Sequence, residues 1–253
     1  MFSATGSIEE KEQDQQGNCK QLSSEELCTK ADQLYKERRF GEAYHLLCEH
    51  KNDDDPQLLW RLARLMYEKA KGESFEAQKE TILNALTCCS RALELDENCF
   101  AIHKWMSILL DAQSKFEGPK SRILNAFKIK EHMVRACALK PEDGTSWHLL
   151  GMWCFTVADM PWYQRKAANV FLATMPESSF DEALQYFTKA EISEPMFYSM
   201  NLLMLGECYL KLGNLEMARK YLQMTKDYPD VSAEDTEAIK RATYLLEKYC
   251  RKL

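Results

Sequence analysis

The residues best suited to chemistry in this chain are its five histidines and ten cysteines, and their spacing assembles neither a metal centre nor a nucleophile. Structural zinc sites recruit paired thiolates at short spacing, yet no C-x-x-C occurs. His45 and Cys48 share one helix face, with nothing nearby to complete a ligand set. Most cysteines fall within apolar helical stripes, which suits small hydrophobic residues in a reducing compartment. The sequence holds no G-x-x-x-x-G-K-[ST], G-x-G-x-x-G, G-x-S-x-G or H-E-x-x-H. No catalytic residue, metal or cofactor is expected, and binding is the expected activity.

Three groups of side chains could carry that binding. Residues 101–140 hold eight Lys and Arg against three acidic residues. Lys115, Lys120, Arg122, Lys128 and Lys130 cluster around the Phe116-Glu117-Gly118-Pro119 break. Such a patch fits docking against an acidic surface, where charge raises the association rate and makes binding salt-sensitive. Next come Trp162 and Tyr163, which follow Met160-Pro161 and precede Gln164-Arg165-Lys166. With the cations beside them they could anchor a partner or a membrane surface, or pin their own segment to the body of the fold, and pinning is the expected role. The third group requires the elements that would position it.

Leu, Ala, Glu, Lys, Met and Gln dominate, Gly and Pro number nine and seven, and no alternating β-branched runs occur, so an all-α chain is expected. Residues 199–229 place Leu202, Leu205, Gly206 and Tyr209 on one helix, then a Gly213-Asn214 turn, then Ala218 and Leu222 on a second. That is the W-x2-L-G-x2-Y…A…P pattern of a tetratricopeptide hairpin, in which small residues let two helices approach closely. Weaker copies precede it. Trp147, Leu150, Gly151 and Cys154 pair with Ala183, Phe187 and Ala190, with about 20 residues inserted between the two helices. Earlier copies centre on Ser107, on Trp60, Ala63 and Tyr67, and on Ala31 and Leu34. The small positions then fall at 31, 64, 107, 151 and 206, an irregular spacing that implies long helices or extra turns in the middle repeats.

The expected architecture is therefore a tetratricopeptide-like α-solenoid of about five hairpins over residues 23–253, with a disordered lead over 1–22. A capping helix is expected from Ala233 to Cys250. In this register Arg61, Lys104 and His148 share one concave slot, and Leu65, Ile108 and Met152 lie four residues later. A greasy groove with a basic edge follows. A phospholipid acyl chain or hydrophobic peptide is its alternative ligand, with Met200 at a further groove slot.

The net charge of −6 belongs to residues 1–60, and the remainder is balanced, so no nucleic-acid partner is expected. No apolar run reaches about 18 residues, so no membrane span is expected. Several stretches resemble the regulator of microtubule dynamics protein family: Leu59-Trp60-Arg61-Leu62-Ala63-Arg64, Ala101-Ile102-His103-Lys104-Trp105, Ile129-Lys130-Glu131-His132 and Met160-Pro161-Trp162-Tyr163-Gln164-Arg165. The likeness covers about residues 25–250, and within the family the second member is the expected nearest match. The resemblance implies a solenoid that associates with microtubules or their associated proteins. It places that solenoid in the cytoplasm and cytoskeleton, at the spindle and spindle poles. Longer members carry an N-terminal membrane anchor, and this chain is expected to be a short form without one.

Overall fold

The computed structural model describes residues 22–163, 165–166 and 176–250, apart from the side chains of Pro119, Lys120 and Arg122. The expected lead over 1–22 and most of the inserted segment lie outside the described residues. Among the described residues there are eleven long helices and no strand. They are α1 (Ser24–Lys36), α2 (Phe40–Cys48), α3 (Pro56–Ala70), α4 (Phe75–Leu95), α5 (Phe100–Ser114) and α6 (Pro119–Leu139), followed by α7 (Gly144–Ala158), α8 (Phe180–Ser193), α9 (Ser199–Lys211), α10 (Leu215–Lys226) and α11 (Ala233–Tyr249).

Local signals set the helix starts. Ser23 and Glu26 form a capping box at α1. Asp55 caps α3 ahead of Pro56, Asp143 caps α7, Ser179 caps α8, and Ser232 caps α11. In the α9–α10 turn Gly213 takes a left-handed φ of 78° before the Asn214 cap. The matching turn after α1 puts Arg38 in the same conformation, at φ 60°.

Helices pack in chain order as five hairpins. The first helices of successive hairpins (α1, α3, α5, α7, α9) form an inner layer, and α2, α4, α6, α8 and α10 back them. α11 closes the stack against α9 and α10. One continuous core runs from Leu27 to Cys208, and a smaller one joins Leu203 and Leu222 to Ala238, Ala242 and Leu245. Each hairpin leaves an apolar face that only its neighbour can cover, which is why the core is shared along the stack. The irregular spacing comes from α4 and α6, each 21 residues long, and from the insertion between α7 and α8.

The inner helices share a register that corrects one sequence expectation. Seven residues after the first residue of each inner helix stand Ala31, Ala63, Ser107, Gly151 and Gly206. All five are buried. In α3 the small position is therefore Ala63 and not Arg64. A slip of one residue rotates a helical side chain by about 100°. That rotation carries Arg64 out to the inner face and Leu65 into the core.

At Gly206 a Cβ would lie 2.7 Å from both Cγ and Cδ2 of Leu222, closer than packed carbons tolerate. Gly206→Ala is expected to cost about 1–3 kcal/mol by overpacking, partly offset by the better helix propensity of Ala. A urea unfolding midpoint at or above that of the parent would refute this close approach.

Candidate functional site

The inner layer of the first three hairpins encloses a groove of ≈ 1520 Å³. Its walls are the C-terminal half of α1, the middle of α3, the face of α5 bearing Phe100, Lys104 and Trp105, and the first turn of α11. At its centre the Asp32 carboxylate accepts from two guanidiniums. Arg61 Nε and Nη2 donate to Oδ2 at 3.0 and 2.8 Å, and Arg64 Nη2 donates to Oδ1 at 2.6 Å. Burial pushes the Asp32 carboxyl up, but the hydrogen bonds and charges of Arg61 and Arg64 outweigh it and hold it below its ordinary value. The guanidiniums are also stacked. Arg61 sits 4.2 Å above the Trp60 ring, and Arg64 lies 3.9 Å from the Tyr35 ring. Arg64 Nε is the one buried side-chain nitrogen or oxygen among the described residues with no hydrogen-bond partner.

Aromatic side chains line the same space. The Tyr35 hydroxyl donates to Glu68 at 3.3 Å, and burial together with that carboxylate pushes the phenol up to about 12. Lys104 Nζ donates to the Asp143 carboxylate at 2.9 and 3.2 Å. Asp143 in turn caps α7 by accepting from Ser146 N at 2.8 Å. Burial raises the Asp143 carboxyl, yet Lys104 and the Ser146 hydrogen bonds bring it below its usual range.

The groove residues expected from sequence divide. Arg61, Lys104 and Ile108 line it. Leu65 is fully buried in the core. His148 is also buried, because the start of α9 covers the inner face of α7. Its Nδ1–H donates to Asn201 Oδ1 at 3.1 Å, and the Tyr198 ring lies 5.0 Å away. Burial drives the His148 imidazole down to about 4, so it is neutral and adds no charge to a basic line. Met152 packs against the main core, and Met200 against the smaller one. Of the four apolar side chains on which an acyl-chain site was expected, only Ile108 reaches the groove. The sequence reading missed Asp32, Tyr35, Trp60 and Arg64. The Asp55-Pro56 helix start, once used to set the α3 register, places Arg64 on the inner face.

The basic patch is reduced at one position. Lys115 and Lys128 are exposed, as is Arg135 on α6. Lys130 instead donates to Glu182 at 3.3 Å and lies 4.7 Å over the Trp153 ring, which ties α6 to α7 and α8. Lys120 and Arg122 belong to the side chains outside the description. The outer face of α6 also shows Leu124, Phe127 and Val134 to solvent.

The aromatic pair after α7 faces solvent, and most of the segment it was expected to pin lies outside the described residues. Trp162 is 74% and Tyr163 58% exposed, edge to face with each other at 6.3 Å. Arg165 reaches back to α7, its Nη2 donating to the Val157 carbonyl at 2.7 Å. Carbonyls in the last turn of a helix lack an intrahelical donor, so a nearby guanidinium is a favourable partner.

A histidine pair between α5 and α6 has a structural explanation. His103 Nε2 donates to the Glu97 carbonyl at 2.9 Å, leaving Nδ1 to accept from His132 Nδ1 at 2.9 Å. Burial, with His103 beside it, lowers the His132 imidazole below its ordinary value.

Comparison with known proteins agrees with the architecture. A thermophilic TPR protein of Thermus thermophilus superposes with a TM-score of 0.60 at 16% identity, over 89% of this chain and 100% of that one. Regulator of microtubule dynamics protein 1 of Bos taurus is 45% identical over 230 residues, covering 90% of this chain and 73% of that protein. Regulator of microtubule dynamics protein 2 of the same species is 30% identical over 226 residues, 87% of this chain and 55% of that protein. The expected likeness to the second member is thus corrected: the bovine first member matches better. Among the described residues no helix is long and apolar enough to cross a membrane. The family model described as regulator of microtubule dynamics protein 1-3 matches residues 27–250, and the chain belongs to that family.

Proposed function

We propose that this chain is a non-enzymatic interaction module that binds microtubules, or proteins on them, through exposed cations near the α5–α6 junction. Membership of a family named for microtubule dynamics carries the reading. Lys115 and Lys128, exposed on a chain whose net charge is −6, supply the chemistry. An acidic protein surface is their natural complement, and the module acts at the cytoskeleton, including the spindle and its poles. The helical stack offers broad surfaces and rigid placement, which suits docking better than bond-making. Exposed ion pairs contribute at most about 1 kcal/mol each, so several cations must act together.

The test is co-pelleting with polymerised tubulin over a salt series, with Lys115, Lys120 and Lys128 changed to Glu. Lys130 is left intact because its reversal would break the pair with Glu182. The triple variant should bind at least about tenfold more weakly at low salt, and the gap should close as salt rises. Equal binding by parent and variant would remove the patch from the mechanism.

A further inference from the structure

The groove on the inner layer is separate from the α5–α6 surface and has its own chemistry. Six cations, Lys36, Arg38, Arg61, Arg64, Lys71 and Lys104, line it against three carboxylates, Asp32, Glu68 and Glu234. Lys71 is paired with Glu68 at 2.8 Å and Lys104 with Asp143 at 2.9 Å. Arg61 and Arg64 share the single Asp32 carboxylate, Arg61 also donating to Gln57, and the buried Nε of Arg64 has no partner. Asp32 stands 40% exposed, and Arg61 and Arg64, 14% and 11% exposed, line the groove beside it, so an incoming carboxylate reaches the guanidiniums by displacing Asp32.

The rest of the lining favours a peptide over an acyl chain. The Thr145 hydroxyl and the Gln33 amide oxygen can bond a peptide backbone, while Gln57 is engaged with Trp60 and Arg61 and Ser232 with Asp235. Tyr35, Trp60, Phe100 and Trp105 line the wall, the first three already carrying a cation over the ring, whereas among branched aliphatic side chains Ile108 stands alone there. An acyl chain would leave the groove's six cations, set against only three lining carboxylates, without a further anionic partner, which a peptide bearing a carboxylate supplies.

We infer that this groove binds an extended peptide segment bearing an acidic side chain, whose carboxylate seats between Arg61 and Arg64 and takes over hydrogen bonds now made to Asp32. Asp32 thereby acts as an internal competitor as well as a strut. Its removal should strengthen binding, an outcome that loss of a purely structural residue would not produce.

The experiment is fluorescence anisotropy with a labelled synthetic peptide of repeating Glu-Phe-Gly units and its counterpart carrying Gln in place of Glu. The Glu peptide should bind about tenfold tighter, the scale of a charged hydrogen-bonded contact. Asp32→Asn should tighten it further, about three- to tenfold, and Arg64→Gln should weaken it about tenfold. Circular dichroism melts accompany both variants, and should Arg64→Gln fail to fold, Asp32→Asn decides alone. The Lys115, Lys120 and Lys128 reversal should leave this affinity within about twofold, since exposed charges outside the groove act weakly through salt solution. Loss of binding in that variant would move the peptide to the outer patch and overturn the groove assignment. Equal binding of the two peptides, or an unchanged affinity in Asp32→Asn, would also overturn it. So would retention on phosphatidylcholine vesicles containing phosphatidylserine that Arg64→Gln abolishes and the Glu peptide does not compete away, because the site would then belong to a lipid headgroup.

Discussion

Phe187→Ala is expected to lower the unfolding free energy by about 3–5 kcal/mol, the largest effect of any single truncation proposed for this chain. Phe187, on α8, is fully buried and joins three helices. Its ring lies 5.4 Å from His148 on α7, and its backbone carbonyl accepts from Asn201 Nδ2 on α9 at 3.1 Å. Truncation opens a cavity where the fourth hairpin meets the fifth. The ring also fills the space that Gly151 leaves: a Cβ there would stand 2.7 Å from Cδ1 and Cε1 of Phe187. Gly151→Ala alone should therefore cost about 1–3 kcal/mol, since the rigid ring must move. Combining Gly151→Ala with Phe187→Leu should cost less than the two changes summed, by about 1 kcal/mol, because the added methyl enters room the ring vacated. Urea denaturation of both single variants and the pair measures that coupling. Strict additivity would mean the helix approach is not set by this contact.

Acid should destabilise the fold through His148 before the carboxylates begin to titrate. The imidazole is neutral in the folded chain down to about pH 4, whereas an unfolded histidine protonates near pH 6.5. Between those values the unfolded chain binds a proton that the folded chain refuses, so stability falls as pH falls. The slope from this one group is about 1.4 kcal/mol per pH unit, on the order of 3 kcal/mol over the whole window. Above about pH 6.5 both states are neutral and the contribution is flat. His132, lowered by burial and His103, adds loss of the same sign. Asp32, Asp143, Glu182 and Asp235 are all held below their ordinary values and contribute only at more acid pH. Unfolding midpoints taken from pH 7 to pH 4.5 should show the slope, and His148→Gln should flatten it. A parallel pH dependence in that variant would place the acid sensitivity elsewhere.

Much of the fold was legible from residue pattern. Gly206 with Ala218 and Leu222, and Gly151 with Ala183 and Phe187, marked two hairpins, and the structure pairs those helices through these residues. The weaker second copy misled by one position, because Trp60 fits the pattern's aromatic slot while the true register follows from Asp55 and Pro56. That slip exchanged Arg64 for Leu65 at the groove. The basic line likewise dissolved, since its three members meet three different fates: Arg61 on Asp32, Lys104 on Asp143, His148 under Asn201.

By itself the sequence determined that the chain is helical, where its last helix begins, and the buried stripes of the fourth and fifth hairpins. Those properties depend on neighbours within a turn or two, so a linear reading reaches them. Tertiary structure alone decided which inner-face side chains stay open to a ligand. Asp32 reaches Arg61 across 29 positions and Asn201 covers His148 across 53, so each site residue's charge and exposure are set by a distant hairpin. Curvature of the stack brings the first turn of α11 to a groove begun by α1, and no local pattern encodes that meeting.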